Sequence, residues 1–146
     1  MKQKIFHAAQ KKMDLIITSG RKFSFPNAKS IYIPDYCYKE ENYKPYRIKA
    51  EEKKNMAVCL GTMGAGKELD EMVEAFGRIG FPLTVAGRFY DKELLNRLKD
   101  KAKDNIVFRD EYLSKEEYFS LLATAKYTVL PYSPEKYGTQ TSAVLQ

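Results

Sequence analysis

Residues 55–88 read NMAVCLGTMGAGKELDEMVEAFGRIGFPLTVAGR, and the fold turns on how this stretch is parsed. NMAVCLGTM (55–63) is a nearly continuous apolar run, the mark of a strand buried on both faces. GKELDEMVEAFGRI (66–79) then places Leu69, Met72, Val73 and Phe76 at i, i+3, i+4 and i+7, one apolar helical stripe. GFP (80–82) stops that helix, with Gly80 as a C-cap and Pro82 just beyond. PLTVAGR (82–88) is a second strand. Strand, helix, strand at this spacing is the unit from which parallel sheets are built.

The alternation continues downstream. DKELLNRLKDKAK (91–103) is a second helix, with Asp91 as N-cap and Leu94, Leu95, Leu98 and Ala102 as its apolar stripe. NIVFRD (105–110) is a third strand. SKEEYFSLLATA (114–125) opens on a capping box, Ser114 to Glu117, and turns Tyr118, Leu121, Leu122 and Ala125 inward. KYTVLPYS (126–133) is a fourth strand. Right-handed crossovers convert this βαβαβαβ pattern into a parallel sheet flanked by helices, so the expected class is α/β and Rossmann-like. GTQTSAVLQ (138–146) reads as a loop entering a helix at Thr141 or Ser142, and about one turn of helix does not stand alone. The domain is therefore expected to be incomplete at its C-terminus.

Between the first strand and helix, Gly61, Gly66 and Lys67 match G-x-x-x-x-G-K, the phosphate-binding loop of nucleotide triphosphatases. The Ser or Thr that should follow, to hold magnesium, is Glu68. Its carboxylate suits a helix N-terminus but repels a phosphate. Asp110 ends the third strand, where a metal-binding Asp would be sought, but Arg109 interrupts the apolar run before it. Two other readings stand beside the triphosphatase loop. Gly61, Gly64 and Gly66 ease a tight turn and Lys67 is solvated; or the loop is a phosphate site without triphosphatase machinery, at the carboxyl end of a strand where open α/β sheets bind ligands.

Upstream, residues 1–54 are irregular. DLIITS (14–19) and SIYIPDY (30–36) read as short strands around a loop, GRKFSFPNAK (20–29). KEENYKPYRIKAEEKKN (39–55) is charged, has one Pro and lacks apolar periodicity, as a linker or an exposed connection does. The domain boundary is accordingly expected between residues 54 and 55. The chain has 146 residues, 44% of them hydrophobic, enough for one domain with a core. No apolar run is long enough to span a membrane, and the basic MKQKIFHAAQKK start is too short in apolar residues for a signal peptide. Cys37 and Cys59 lack CxxC spacing and are expected as free thiols in a reducing cytosol. The net charge of +6 favours an anionic partner without choosing one.

LGTMGAGKELDEMVEAF, then LTVAGR, then NIVFRDEYLSKEEYFSLLATAKYTVLPYSPEKYGTQTSAVLQ resemble, in one register, the nucleotide-binding C-terminal domain of GT-B glycosyltransferases. The closest group is glycosyltransferase family four, the bacterial polysaccharide type. Residues 13–36 resemble the segment that leaves the N-terminal domain of those enzymes. The resemblance implies a nucleotide-diphosphate-sugar donor, retaining transfer to the hydroxyl of a carbohydrate or lipid-linked acceptor, and no cofactor or obligatory metal. It places Lys67 on the donor diphosphate and Glu135, the first of a family pair of acids, near the donor sugar. The position of the second acid holds Ala143. Where the family often has Arg after the strand glycine, this chain has Thr62, and Arg88 is expected to replace part of that clamp. Tyr112 falls where relatives cradle the base. Tyr137, Gly138, Thr139, Thr141 and Ser142 would present groups to the phosphates at the start of the last helix.

The expected function is thus the donor-binding part of a sugar transferase in polysaccharide or glycolipid synthesis. It is expected to be cytoplasmic, at the inner membrane surface where the acceptor is lipid-linked, inactive alone, and open to self-association through uncovered sheet edge. A non-catalytic α/β nucleotide-binding or interaction module is the alternative. Against a receiver domain, the first strand ends in Gly-Thr rather than in acids. Against flavodoxin, Lys67 stands where a Thr/Ser-rich turn is expected. Nucleic-acid binding is not expected, since no RRM, KH or zinc-finger pattern occurs. His7, the sole histidine, lies in the basic N-terminal segment and is read as solvated.

Overall fold

A computed structural model describes residues 12–18, 28–33, 39–64 and 66–133. They fall into two compact units, divided between Lys39 and Glu40. In the first, β1 (Ile16–Thr18) and β2 (Ser30–Tyr32) pair in parallel, with Ile16 opposite Ser30 and Thr18 opposite Tyr32.

The second unit is built around β3 (Lys54–Leu60), whose last four residues, Ala57, Val58, Cys59 and Leu60, are all buried. That is the burial the unbroken apolar run requires of a strand covered on both faces. Around it run α1 (Glu40–Tyr43), α2 (Leu69–Ile79), β4 (Leu83–Ala86), α3 (Lys92–Lys101), β5 (Ile106–Arg109), α4 (Lys115–Thr124) and β6 (Ala125–Thr128). The sheet order is β5-β4-β3-β6 and every pair is parallel. The α/β class with a helix-flanked parallel sheet is therefore observed as the sequence predicts.

Alternate side chains of β3 face two layers. Ala57 and Cys59 pack with Leu69, Met72 and Val73 of α2 and Leu94, Leu95 and Leu98 of α3. Val58 and Leu60 pack with Ala86, Ala125 and the half-buried Tyr118, Leu121 and Leu122 of the α4 side. Local signals end the helices where expected. Gly80 closes α2 with a left-handed φ of 67°. The Asp91 carboxylate accepts from the Leu94 amide at 3.0 Å and opens α3. Ser114 Oγ accepts from the Glu117 amide at 3.1 Å, and the Glu117 carboxylate accepts from the Ser114 amide at 3.0 Å. The Asn105 side chain donates to the carbonyls of Phe76 (3.1 Å) and Phe81 (2.7 Å), tying the end of α2 to the entry of β5. Across the solvent side, Asp70 of α2 accepts from Arg97 (3.1 Å) and Lys101 (2.8 Å) of α3.

The 39–55 stretch is exposed or half-buried throughout, and it is structured: it forms α1 and two 3-10 turns, Lys44–Tyr46 and Ala50–Glu52, and falls with the sheet-containing unit, which starts at Glu40. Tyr46 stacks on Phe119 of α4 with ring centroids 5.7 Å apart, and Tyr43 lies tilted at 6.5 Å. Arg47 pairs with Glu40 and covers the Tyr43 ring, and the Lys115 ammonium donates to the Asn42 side chain. Two isolated tyrosines dock the segment, which is why periodicity did not reveal it. Phe119, absent from the expected inner face, is the one buried residue of α4. Among the described residues no helix is long and apolar enough to cross a membrane.

Candidate functional site

β3 and β6 are neighbours in the sheet, yet the chain leaves β3 toward β4 on one side and reaches β6 from β5 on the other. That reversal of winding is the place where an open parallel sheet leaves a crevice outside its carboxyl ends. The loop after β3 and the segment after β6 meet there. Lys67 and Tyr132 form an antiparallel bridge. The Glu68 amide donates to the Pro131 carbonyl at 2.6 Å, and the Ser133 amide to the Gly66 carbonyl at 3.4 Å.

Lys67 lies at this junction. Its ammonium donates to the Leu60 carbonyl at 3.3 Å, the last residue of β3, and stands 3.8 Å from Met63 Sδ and 5.5 Å from the Tyr132 ring centroid. Among the described residues it has no carboxylate partner. Burial pushes the nearby Cys59 thiol up, with the Lys67 ammonium pulling in the opposite direction. Cys59 is fully buried and free, a packing residue rather than a nucleophile.

The amides of the loop are largely engaged by the chain itself. The amides of Gly61, Met63, Gly66, Lys67 and Glu68 donate to the carbonyls of Ala86, Arg88, Gly64, Gly64 and Pro131. An amide already bonded to the chain is not aimed at a ligand, and those of Gly61 and Gly66 are bonded in this way. Gly61 takes a φ of +102°, which favours glycine, and the close approach beside it is made possible by Gly87. A Cβ placed on Gly87 would stand 1.8 Å from the Gly61 carbonyl oxygen, so the exits of β3 and β4 touch backbone to backbone. The parallel ladder extends past them to Met63 opposite Phe89, both buried. Thr62 is exposed on the loop, and Gly64 supplies the carbonyl that turns the chain toward Lys67.

Arg88 lies at the carboxyl end of β4, exposed, with its guanidinium 5.8 Å from the Tyr90 ring centroid. Tyr112 lies beyond β5 and is 84% exposed. It does not pack into this unit's core. Glu135, Tyr137, Gly138, Thr139, Thr141 and Ser142 lie outside the described residues. The start of α2 carries no side-chain cap from Glu68, and Asp70 and Glu71 occupy its first turn. Those acids already complement the helix dipole and reduce the pull of that terminus on an anion.

Sequence reasoning missed Tyr132 and Asp110. Tyr132 sits in a stretch read as strand but follows β6, where it flanks the Lys67 ammonium. Asp110 was weighed only as a metal ligand. Its carboxylate accepts from the Lys92 ammonium and from the Phe89 amide at 3.0 Å, and these two bonds, the first more than the second, lower its pKa. A carboxylate ending one strand beside a neighbour ending in Gly-Arg was the available signal. No family model, curated protein or solved structure matches the chain.

Proposed function

We propose that the unit containing residues 40–133 binds the nucleoside-diphosphate part of a sugar donor, and that the protein is a nucleotide-sugar-dependent glycosyltransferase, or part of one, acting on a carbohydrate or lipid-linked acceptor. The observation that carries the reading is the Lys67 ammonium. It is half-buried, lacks a carboxylate partner among the described residues, and stands where β3 and β6 part. A cation held there with no carboxylate partner among the described residues suits an anion entering from outside the sheet. The glycosyltransferase resemblance of residues 55–146 adds the class of anion.

The chemistry follows from where charge develops. Breaking the bond between the sugar's anomeric carbon and the diphosphate leaves negative charge on the β-phosphate oxygen. A preorganised ammonium stabilises that charge more in the transition state than in the ground state, which lowers the barrier. Arg88, on the adjacent strand exit, supplies a second cation with a bidentate fork. Glu135 is assigned to the sugar side by the resemblance alone.

The test is titration of the full chain with UDP and with GDP, followed by calorimetry and amide chemical shifts. Weak binding that falls about tenfold or more in Lys67→Ala is expected, as for loss of a charge-assisted contact. Absence of both heat and shifts at millimolar nucleotide refutes the proposal. A second reading, a non-catalytic nucleotide-binding or interaction module, draws on the bonded loop amides and on Asp70 and Glu71 at the start of α2. It predicts binding of the bare diphosphate and of its sugar ester with equal affinity.

A further inference from the structure

We propose that Asp110 is a positioning residue for the anion site, acting by fixing the turn from which Arg88 projects. The proposal rests on the donor-binding reading for its ligand, a nucleoside diphosphate.

The backbone around Arg88 is held from three sides. The Gly87 amide donates to the Arg109 carbonyl at 3.0 Å. The Arg88 carbonyl accepts from the Met63 amide at 3.0 Å. The Phe89 amide donates to Asp110 Oδ1 at 3.0 Å, and the other carboxylate oxygen takes the Lys92 ammonium from the first residue of α3. Beneath the turn the Phe89 ring is buried and meets Phe108 edge-on at 6.2 Å. Asp110 supplies the only one of these three holds that comes from a side chain. Both its oxygens are engaged by the protein, so its effect on a ligand is indirect. Without it the Phe89 amide loses its acceptor and Lys92 its anchor. The turn then keeps its ties at residues 87 and 88, the Met63–Phe89 bridge and the buried Phe89 ring, but no side-chain hydrogen bond fixes its backbone, and the Arg88 guanidinium, at the end of a long side chain, loses a firm launching point. A bidentate fork is useful only when aimed.

The experiment uses UDP as probe and the full chain in five forms: wild type, Asp110→Ala, Asp110→Asn, Arg88→Ala and the double variant R88A/D110A. Circular dichroism melts verify folding, and Asp110→Ser, whose hydroxyl is too short to reach the Phe89 amide, replaces the alanine variant where that does not fold. D110A is expected to weaken UDP binding about tenfold. D110N, which keeps an acceptor for the Phe89 amide, is expected to stay within about threefold. In the R88A background the alanine change is expected to alter binding less than about twofold, because no guanidinium remains to be positioned. D110A binding as tightly as wild type, or weakening by the same factor in both backgrounds, overturns the proposal alone. A wild-type protein that binds no UDP overturns the donor reading and this proposal with it.

Discussion

Gly87→Ala tests the junction that shapes the site. Gly87 has φ of +140°, a backbone region that L side chains rarely adopt, and its Cβ would stand 1.8 Å from the Gly61 carbonyl oxygen, where ordinary contact begins at 3.4 Å. The backbone term alone costs about 1–3 kcal/mol. Relieving the overlap requires the exits of β3 and β4 to part by more than an ångström. That breaks the bonds from Gly61 to Ala86 (3.1 Å) and from Met63 to Arg88 (3.0 Å), each worth about 1 kcal/mol net. The expected loss is about 3–5 kcal/mol, a large share of the roughly 5–15 kcal/mol that holds a small domain. Gly80→Ala is the internal control. Gly80 also has positive φ, at +67°, but nothing lies within 4 Å of its Cβ, so it should cost only about 1 kcal/mol. Urea unfolding followed by circular dichroism gives both values by linear extrapolation. If Gly87→Ala is no more costly than Gly80→Ala, the close approach of the two strand exits is not a constraint, and the account of the mouth built on it is wrong.

Two further outcomes concern charge and burial. Asp70 has its pKa lowered from 3.8 to about 2, first by the hydrogen bond from Arg97 and then by that from Lys101. Its contribution is therefore complete above about pH 4 and lost as pH falls toward 2. Asp70→Asn should cost about 0.5–1 kcal/mol at neutral pH, as solvent-screened pairs do, with the gap to wild type closing in acid unfolding curves near pH 2; a gap that persists there contradicts the assignment. In a Cys37→Ser background, Cys59 should react with a thiol reagent only as fast as the protein opens globally, because the thiol is fully buried and its pKa raised. Reaction within mixing time would show a more open β3.

Most of the sheet was legible because its signals are local. The stripe of Leu69, Met72 and Val73, the caps at Asp91 and Ser114, and the stop at Gly80 each depend on a few neighbouring residues, and each is where the pattern puts it. The docking of residues 40–52 was not legible. It depends on Tyr43 and Tyr46 finding Phe119, a contact between distant segments with no period to announce it. The site was half legible for the same reason. Lys67 stands out in sequence beside its glycines, and its ammonium lies at the end of β3. That the neighbouring amides are bonded to the exits of β4 and β6 follows from sheet order, and sheet order is a property of crossovers rather than of any one motif.

The pairing of residues 66–68 with 131–133 makes the exits of two strands a single mechanical piece. A lysine on a free loop swings on its own account. Here the main chain of Lys67 is stitched to the segment that follows β6, so a tug on either segment is felt at both. Whatever displaces the main chain of Lys67 therefore loads Tyr132 as well, and the two lips of the crevice are held as one.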